Sequence, residues 1–202
     1  MFALTRVRSS VSRAVCLLVV GMVLGGCGIN TIPTLQEQAK ASWSEVLNQY
    51  QRRADLIPNL VETVKGYASQ ESKVLTHVTE ARAKATQVQI PPDILTNPEA
   101  FQKFQEAQGV LTGALSKLLS ITENYPDLKS NQNFLALQSQ LEGTENRIAI
   151  ARRDYIASVQ AYNTEIRTIP GRWWRAVFYP DAEPMQNFTV KEGTETVPEV
   201  KF

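Results

Sequence analysis

From Trp43 onward, the apolar residues of this 202-residue chain recur in alternating steps of four and three: Trp43, Leu47, Tyr50, Ala54, Ile57, Val61, Val64 and Ala68. Steps of that size keep one face of an α-helix apolar and give a strand no consistent face. The stripe resumes at Leu75 and Val78 after Glu71 interrupts it. A first helix is therefore expected from about Leu35 to Val88, on the order of 80 Å long at ~1.5 Å per residue. Pro58 lies inside it, with no N–H to donate and a ring that crowds the carbonyl of Ala54. A kink is expected there, with the helix continuing because the stripe keeps its phase.

Ile90-Pro91-Pro92-Asp93 ends that element. Asn97-Pro98-Glu99 then reads as an N-cap, a first-turn proline and an early acid. A second helix follows through Phe101, Phe104, Gln108, Leu111, Leu115, Leu118 and Leu119, and Tyr125-Pro126 stops it. The third begins within Asp127 to Asn133. Its seam is Phe134, Leu137, Leu141, Thr144, Ile148, Ala151, Tyr155, Ser158, Tyr162, Ile166 and Ile169, closed by Pro170-Gly171. Long helices with one apolar stripe bury it against each other. The predicted fold is all-α: an elongated antiparallel three-helix bundle with a kinked first helix. A short C-terminal element carries Trp173, Trp174, Phe178 and Tyr179.

The N-terminus sets the address. Arg6, Arg8 and Arg13 precede an apolar run from Ala14 to Leu24, too short for an ordinary membrane span, and Val23-Leu24-Gly25-Gly26-Cys27-Gly28 closes it as a lipobox. Cleavage before Cys27, with acylation of its thiol and new amino group, is expected to leave a lipid-anchored protein in the cell envelope. In a diderm cell, Gly28 rather than Asp after Cys27 favours the outer membrane, facing the periplasm. The expected divisions are a signal peptide over 1–26, a tether from Cys27 over 27–34, a helical domain over 35–180 and a polar tail over 181–202. Without the three signal arginines, the 21 basic residues fall to 18 against 20 acids, a charge near −2 that gives no electrostatic case for nucleic acid. Cys16 leaves with the signal and Cys27 is consumed by lipid, so no thiol remains for a disulfide, redox pair or metal.

Two segments resemble a known family. Gln49-Tyr50-Gln51-Arg52-Arg53-Ala54-Asp55-Leu56-Ile57-Pro58-Asn59-Leu60-Val61-Glu62-Thr63-Val64-Lys65-Gly66-Tyr67-Ala68 is similar to the signature of the LemA family. Leu141-Glu142-Gly143-Thr144-Glu145-Asn146-Arg147-Ile148, with Ala151-Arg152 and Tyr162-Asn163, resembles its second block. The resemblance spans about Leu35 to Phe178. It implies long antiparallel helices, attachment to a membrane near the N-terminus, and a domain outside the cytoplasm. It implies no established reaction and carries over no catalytic residues. Many members are held by a transmembrane helix, where this chain has a lipobox. Some occur alongside membrane proteases, which points to a membrane-protein partner and to envelope quality control.

The residues themselves offer few sites. His77 is the single histidine, on the flank of the first stripe, and is expected to be a surface residue. Glu142 and Glu145 share a helical face but lack the Glu-x-x-His pairs of a di-iron bundle, so a solvated or salt-bridged face is expected and no metal or other cofactor. Arg52, Arg53, Asp55, Glu145, Asn146 and Arg147 read as polar contacts fixing the register between the long helices, or as a surface for an acidic peptide or lipid headgroup. Arg172, Trp173, Trp174 and Arg175 are candidates for contact with a membrane interface or partner, the competing reading being that both indoles cover the open end of the bundle. The expected function is a non-enzymatic helical scaffold or adaptor held by acyl chains. The alternatives are a hydrolase of cell wall or envelope proteins, and a lipid-interacting membrane sensor.

Overall fold

The computed structural model describes residues 28–189; residues 1–27, with the expected signal peptide and Cys27, and residues 190–202 lie outside the described residues. The described chain is all-helical. Its elements are α1 (Thr31–Lys65), a short 3-10 turn (Ser69–Glu71), α2 (Ser72–Gln87), α3 (Pro98–Thr122), α4 (Pro126–Lys129), α5 (Gln132–Glu165) and α6 (Gly171–Phe178).

The predicted all-α bundle stands, with one correction to its first helix. The element expected to run from about Leu35 to Val88 ends at Lys65 and folds back. Gly66 and Ala68 turn the chain, their amides bonding to the carbonyls of Glu62 and Val64. The polar run Ser69–Glu71 then leads into α2. Periodicity did not reveal the reversal because Val64, Ala68, Leu75 and Val78 stay buried on both sides of it. The apolar phase of a straight helix and of this hairpin is the same. The bundle thus has four long helices where three were expected. Pro58, by contrast, sits inside a continuous α1, as expected.

The cross-helix contacts give the directions. Trp43 meets Tyr155 at 5.3 Å between ring centroids and Arg53 meets Glu145, ten residues up α1 for ten down α5, so these two helices run antiparallel. Arg82 of α2 reaches back to Ala54, and Gln108 of α3 reaches Ala85 of α2. Helices α1, α2, α3 and α5 therefore alternate in direction. The ends are set by local chemistry: Asn97 and Asn131 accept from the amides of Ala100 and Phe134 at 3.1 and 3.0 Å and cap α3 and α5. At Gly171 a Cβ would lie 2.1 Å from the carbonyl oxygen of Glu165, so only glycine lets α6 start so close to the end of α5.

The core falls into two clusters. The one near the start of α1 is aromatic, with Trp43, Tyr50, Phe101, Phe104, Tyr155 and Tyr162. The far one is largely aliphatic, with Ile57, Leu60, Val78, Leu111, Leu118, Phe134 and Leu141. Residues 182–189, the described part of the expected polar tail, are anchored in the aromatic cluster through Ala182, Met185 and Phe188. Phe188 lies 5.1 Å from Phe101 and 5.6 Å from Tyr155, ring to ring. The strap is tied by its backbone: Tyr155 Oη donates to the Gln186 carbonyl at 2.7 Å, and Asn163 exchanges two hydrogen bonds with Met185. Ile169, expected at the end of the α5 seam, is instead 65% exposed.

Candidate functional site

Between the two clusters lies a polar layer built around Arg53. On α1 this residue falls between Tyr50 and Ile57, both core residues, so helical geometry aims its side chain inward. It is 1% exposed. A guanidinium in that position is strongly disfavoured unless its donors are met. Nη1 donates to Thr112 Oγ1 at 2.8 Å and to Glu145 Oε1 at 3.0 Å. Nη2 donates to Gln108 Oε1 at 2.7 Å and to the Gln108 carbonyl at 3.3 Å. Nε has no partner. The guanidinium also sits 5.1 Å from the centroid of the Tyr50 ring. Burial raises the pKa of Tyr50 above its ordinary value, so this ring stays neutral beside the cation.

One charge thereby joins α1, α3 and α5, and Gln108 extends the link to α2 through the Ala85 carbonyl. A second polar tie lies close by. Pro58 has no N–H for the carbonyl of Ala54, and Arg82 Nε supplies the missing hydrogen bond at 2.7 Å. Sequence reasoning missed Arg82. The signal for it was the proline itself, since a helix-interior proline obliges some other group to satisfy that carbonyl.

Of the six residues read as candidates for interhelical contact, the structure brings Arg53 and Glu145 together. Arg52, Asp55, Asn146 and Arg147 are exposed, Asp55 accepting a hydrogen bond from Gln51 on its own helix. Beside the layer, α3 and α5 leave an open groove of about 420 Å³ lined by Leu115, Leu119, Leu141, Glu142, Glu145 and Asn146. Its charged lining is acidic. His77 is exposed. No cluster of His, Cys, Asp and Glu among the described residues is arranged to hold a metal ion. No described helix is long and apolar enough to cross a membrane.

The four residues of the C-terminal element divide. Trp174 is half-buried, 6.0 Å from the Phe178 ring, with its Nε1 buried and without a partner among the described residues. A Cβ on Gly28 would lie 3.1 Å from that nitrogen, so the residue next to Cys27 rests against this indole. Trp173 is 61% exposed, and Arg172 is exposed beside it. The two indoles thus do different things: one packs on the bundle and the other faces out.

A single buried cation, bound by the protein's own side chains and shared among antiparallel helices, defines a helical-bundle protein whose polar centre is an interhelical tie. The chain belongs to the LemA family, whose model matches residues 42–202. It is similar to magnetosome protein MamQ 2 of Paramagnetospirillum magneticum at 26% identity, over 83% of this chain and 66% of that one. Magnetosome protein MamQ of Magnetospirillum gryphiswaldense is 27% identical, over 70% of this chain and 58% of its own. Protein LemA of Metamycoplasma hominis is 26% identical, over 58% and 49%. The chain thus spans less than two thirds of the length of each of these relatives.

Proposed function

We propose that this protein is a non-enzymatic envelope scaffold, anchored by acyl chains on Cys27, that presents the sides of its helices to a membrane protein. The observation that carries the reading is the closure of the Arg53 layer. Four hydrogen bonds direct the guanidinium at Thr112, Gln108 and Glu145, so the buried polar chemistry is used between helices. Its role is to fix the register of the four helices: sliding any one by a turn, about 5.4 Å, separates the cation from its acceptors. Family membership and the lipobox support the same reading, since a rigid rod on a lipid anchor is suited to holding a partner at the membrane. Two anchoring signals suffice for stable attachment, and a triacylated cysteine exceeds that.

The test is photo-crosslinking in living cells from exposed positions Arg52, Ser116 and Arg147, with adducts identified by mass spectrometry. One recurrent membrane protein, such as an envelope protease, is the expected result. Adducts only to the protein itself, or none above background, would overturn the adaptor reading.

A further inference from the structure

Helix α6 turns its apolar side away from the bundle. Gly171 is buried on its inner side, whereas Trp173 and Val177, four residues apart on this helix, are 61% and 70% exposed, and Ile169, just before the helix, is 65% exposed. Phe178 adds a ring that is 52% exposed. Water-facing Ile, Trp, Val and Phe gathered on one short element form the kind of patch that marks an interaction surface. Arg167, Arg172 and Arg175 lie along the same stretch, and none of them makes a salt bridge among the described residues. Arg172, Arg175, Ile169 and Trp173 line one shallow depression on this surface. The element is also fixed beside the tether, because Gly28 rests on the Trp174 indole.

From this juxtaposition we infer that α6 lies in the headgroup region of an anionic bilayer, with Ile169, Trp173 and Val177 inserted and the arginines on phosphates. The inference rests on the reading that Cys27 is acylated. That anchor brings the residue following it, and the indole it touches, to the bilayer surface. An indole with a wet rim suits the interface, and unpaired arginines at that level attract anionic lipid. The contact fixes how the rod stands. Acyl chains alone hold the bundle at one point, whereas a second contact through α6 sets its tilt and decides which helix sides face along the membrane.

The test uses the protein as isolated from cell membranes, with Val177→Cys as its one free thiol, carrying an environment-sensitive fluorophore. A second preparation carries the label at Ser69→Cys, at the α1–α2 turn. Both are reconstituted into phosphatidylcholine vesicles with and without phosphatidylglycerol. At residue 177 the fluorophore should blue-shift and be quenched by lipid-borne nitroxides on the phosphatidylglycerol vesicles, while at residue 69 it should stay water-like. Arg172→Gln with Arg175→Gln should lower the ratio of docked to undocked protein about 25-fold, taking roughly fivefold per arginine. A water-like fluorophore at residue 177 in both lipids overturns the inference. So does burial on phosphatidylcholine alone, and so does burial that follows protein concentration, which identifies a second copy as the occupant. Intact mass separates this from failure of the anchor. If Cys27 carries no acyl chains, a preparation with Cys16→Ser and Cys27→Ser, labelled at Val177→Cys and mixed with the same vesicles, still decides whether α6 docks.

Discussion

The pairing of Pro58 with Arg82 can be tested by removing each side of it. Arg82→Met keeps most of the side chain's apolar stem but deletes the Nε donor that lies 2.7 Å from the carbonyl of Ala54. Ala54 is 4% exposed, so water does not readily replace that donor. Leaving a buried carbonyl without its charge-assisted hydrogen bond costs about 2 kcal/mol. Pro58→Ala restores an N–H at the position from which a regular helix would serve that carbonyl. In the Pro58→Ala background, then, Arg82→Met should cost only about 0.5 kcal/mol, the residue being lost packing. Packing is lost in both backgrounds and cancels, so the coupling energy expected from the cycle is about 2 kcal/mol, well outside the scatter of about 0.5 kcal/mol for independent sites. Pro58→Ala alone should be neutral or mildly stabilising. Urea unfolding of the four proteins, followed by far-ultraviolet circular dichroism, measures all of these. If Arg82→Met costs the same in both backgrounds, the carbonyl of Ala54 is not what Arg82 supports, and the reasoning fails.

The buried cation predicts an asymmetry. Arg53→Ala should destabilise by about 3 kcal/mol, because it empties a fully buried site and strands Gln108, whereas Glu145→Ala should cost about 1 kcal/mol, its side chain being 42% exposed; chemical denaturation compares them. Gly171→Ala drives a methyl into the Glu165 carbonyl and should displace α6, read as a red-shifted, more exposed Trp174 in a variant lacking Trp43 and Trp173. Cys27→Ser should abolish palmitate labelling and leave a larger precursor on a denaturing gel; persistent labelling would remove the anchor from the argument. Burial raises the pKa of Tyr50, Tyr155 and Tyr162 above the ordinary 10.0. A phenol harder to ionise in the folded state leaves stability flat below pH 10 and erodes it above, so these tyrosines should ionise only as the bundle opens. Phenolate absorbance during alkaline titration should show that as one steep, cooperative step.

Much of the bundle was legible because helical spacing is a direct record of burial. Phe134, Leu141, Ile148, Tyr155 and Tyr162 all lie where their periodicity placed them. The cap at Asn97 follows from side-chain chemistry that acts within a few residues, and the one at Asn131 falls inside the interval expected for the start of that helix. What escaped was what depends on distant parts of the chain. The reversal after Lys65 keeps the apolar phase, so only Gly66 and the polar Ser69–Glu71 hinted at it. The guanidinium partners were half visible: Glu145 stands in a charged block, but Gln108 looked like one more residue of a stripe. Its polarity at a core position was the overlooked sign. Arg82 could be found only after the hairpin that brings it beside Ala54. The strap over 182–188 was hidden by its composition, in which three anchors at intervals of three are diluted by polar neighbours.

That strap has a consequence for when the domain can assemble. Phe188 fits among Trp43, Phe101 and Tyr155, which come from three different helices, so the aromatic end of the bundle lacks its closing ring until the long helices and the strap after them have all been delivered. A polypeptide threaded unfolded through a membrane channel benefits from such an arrangement. The early helices can emerge without a finished interior to jam them. The closing ring is carried by a segment that follows all four long helices.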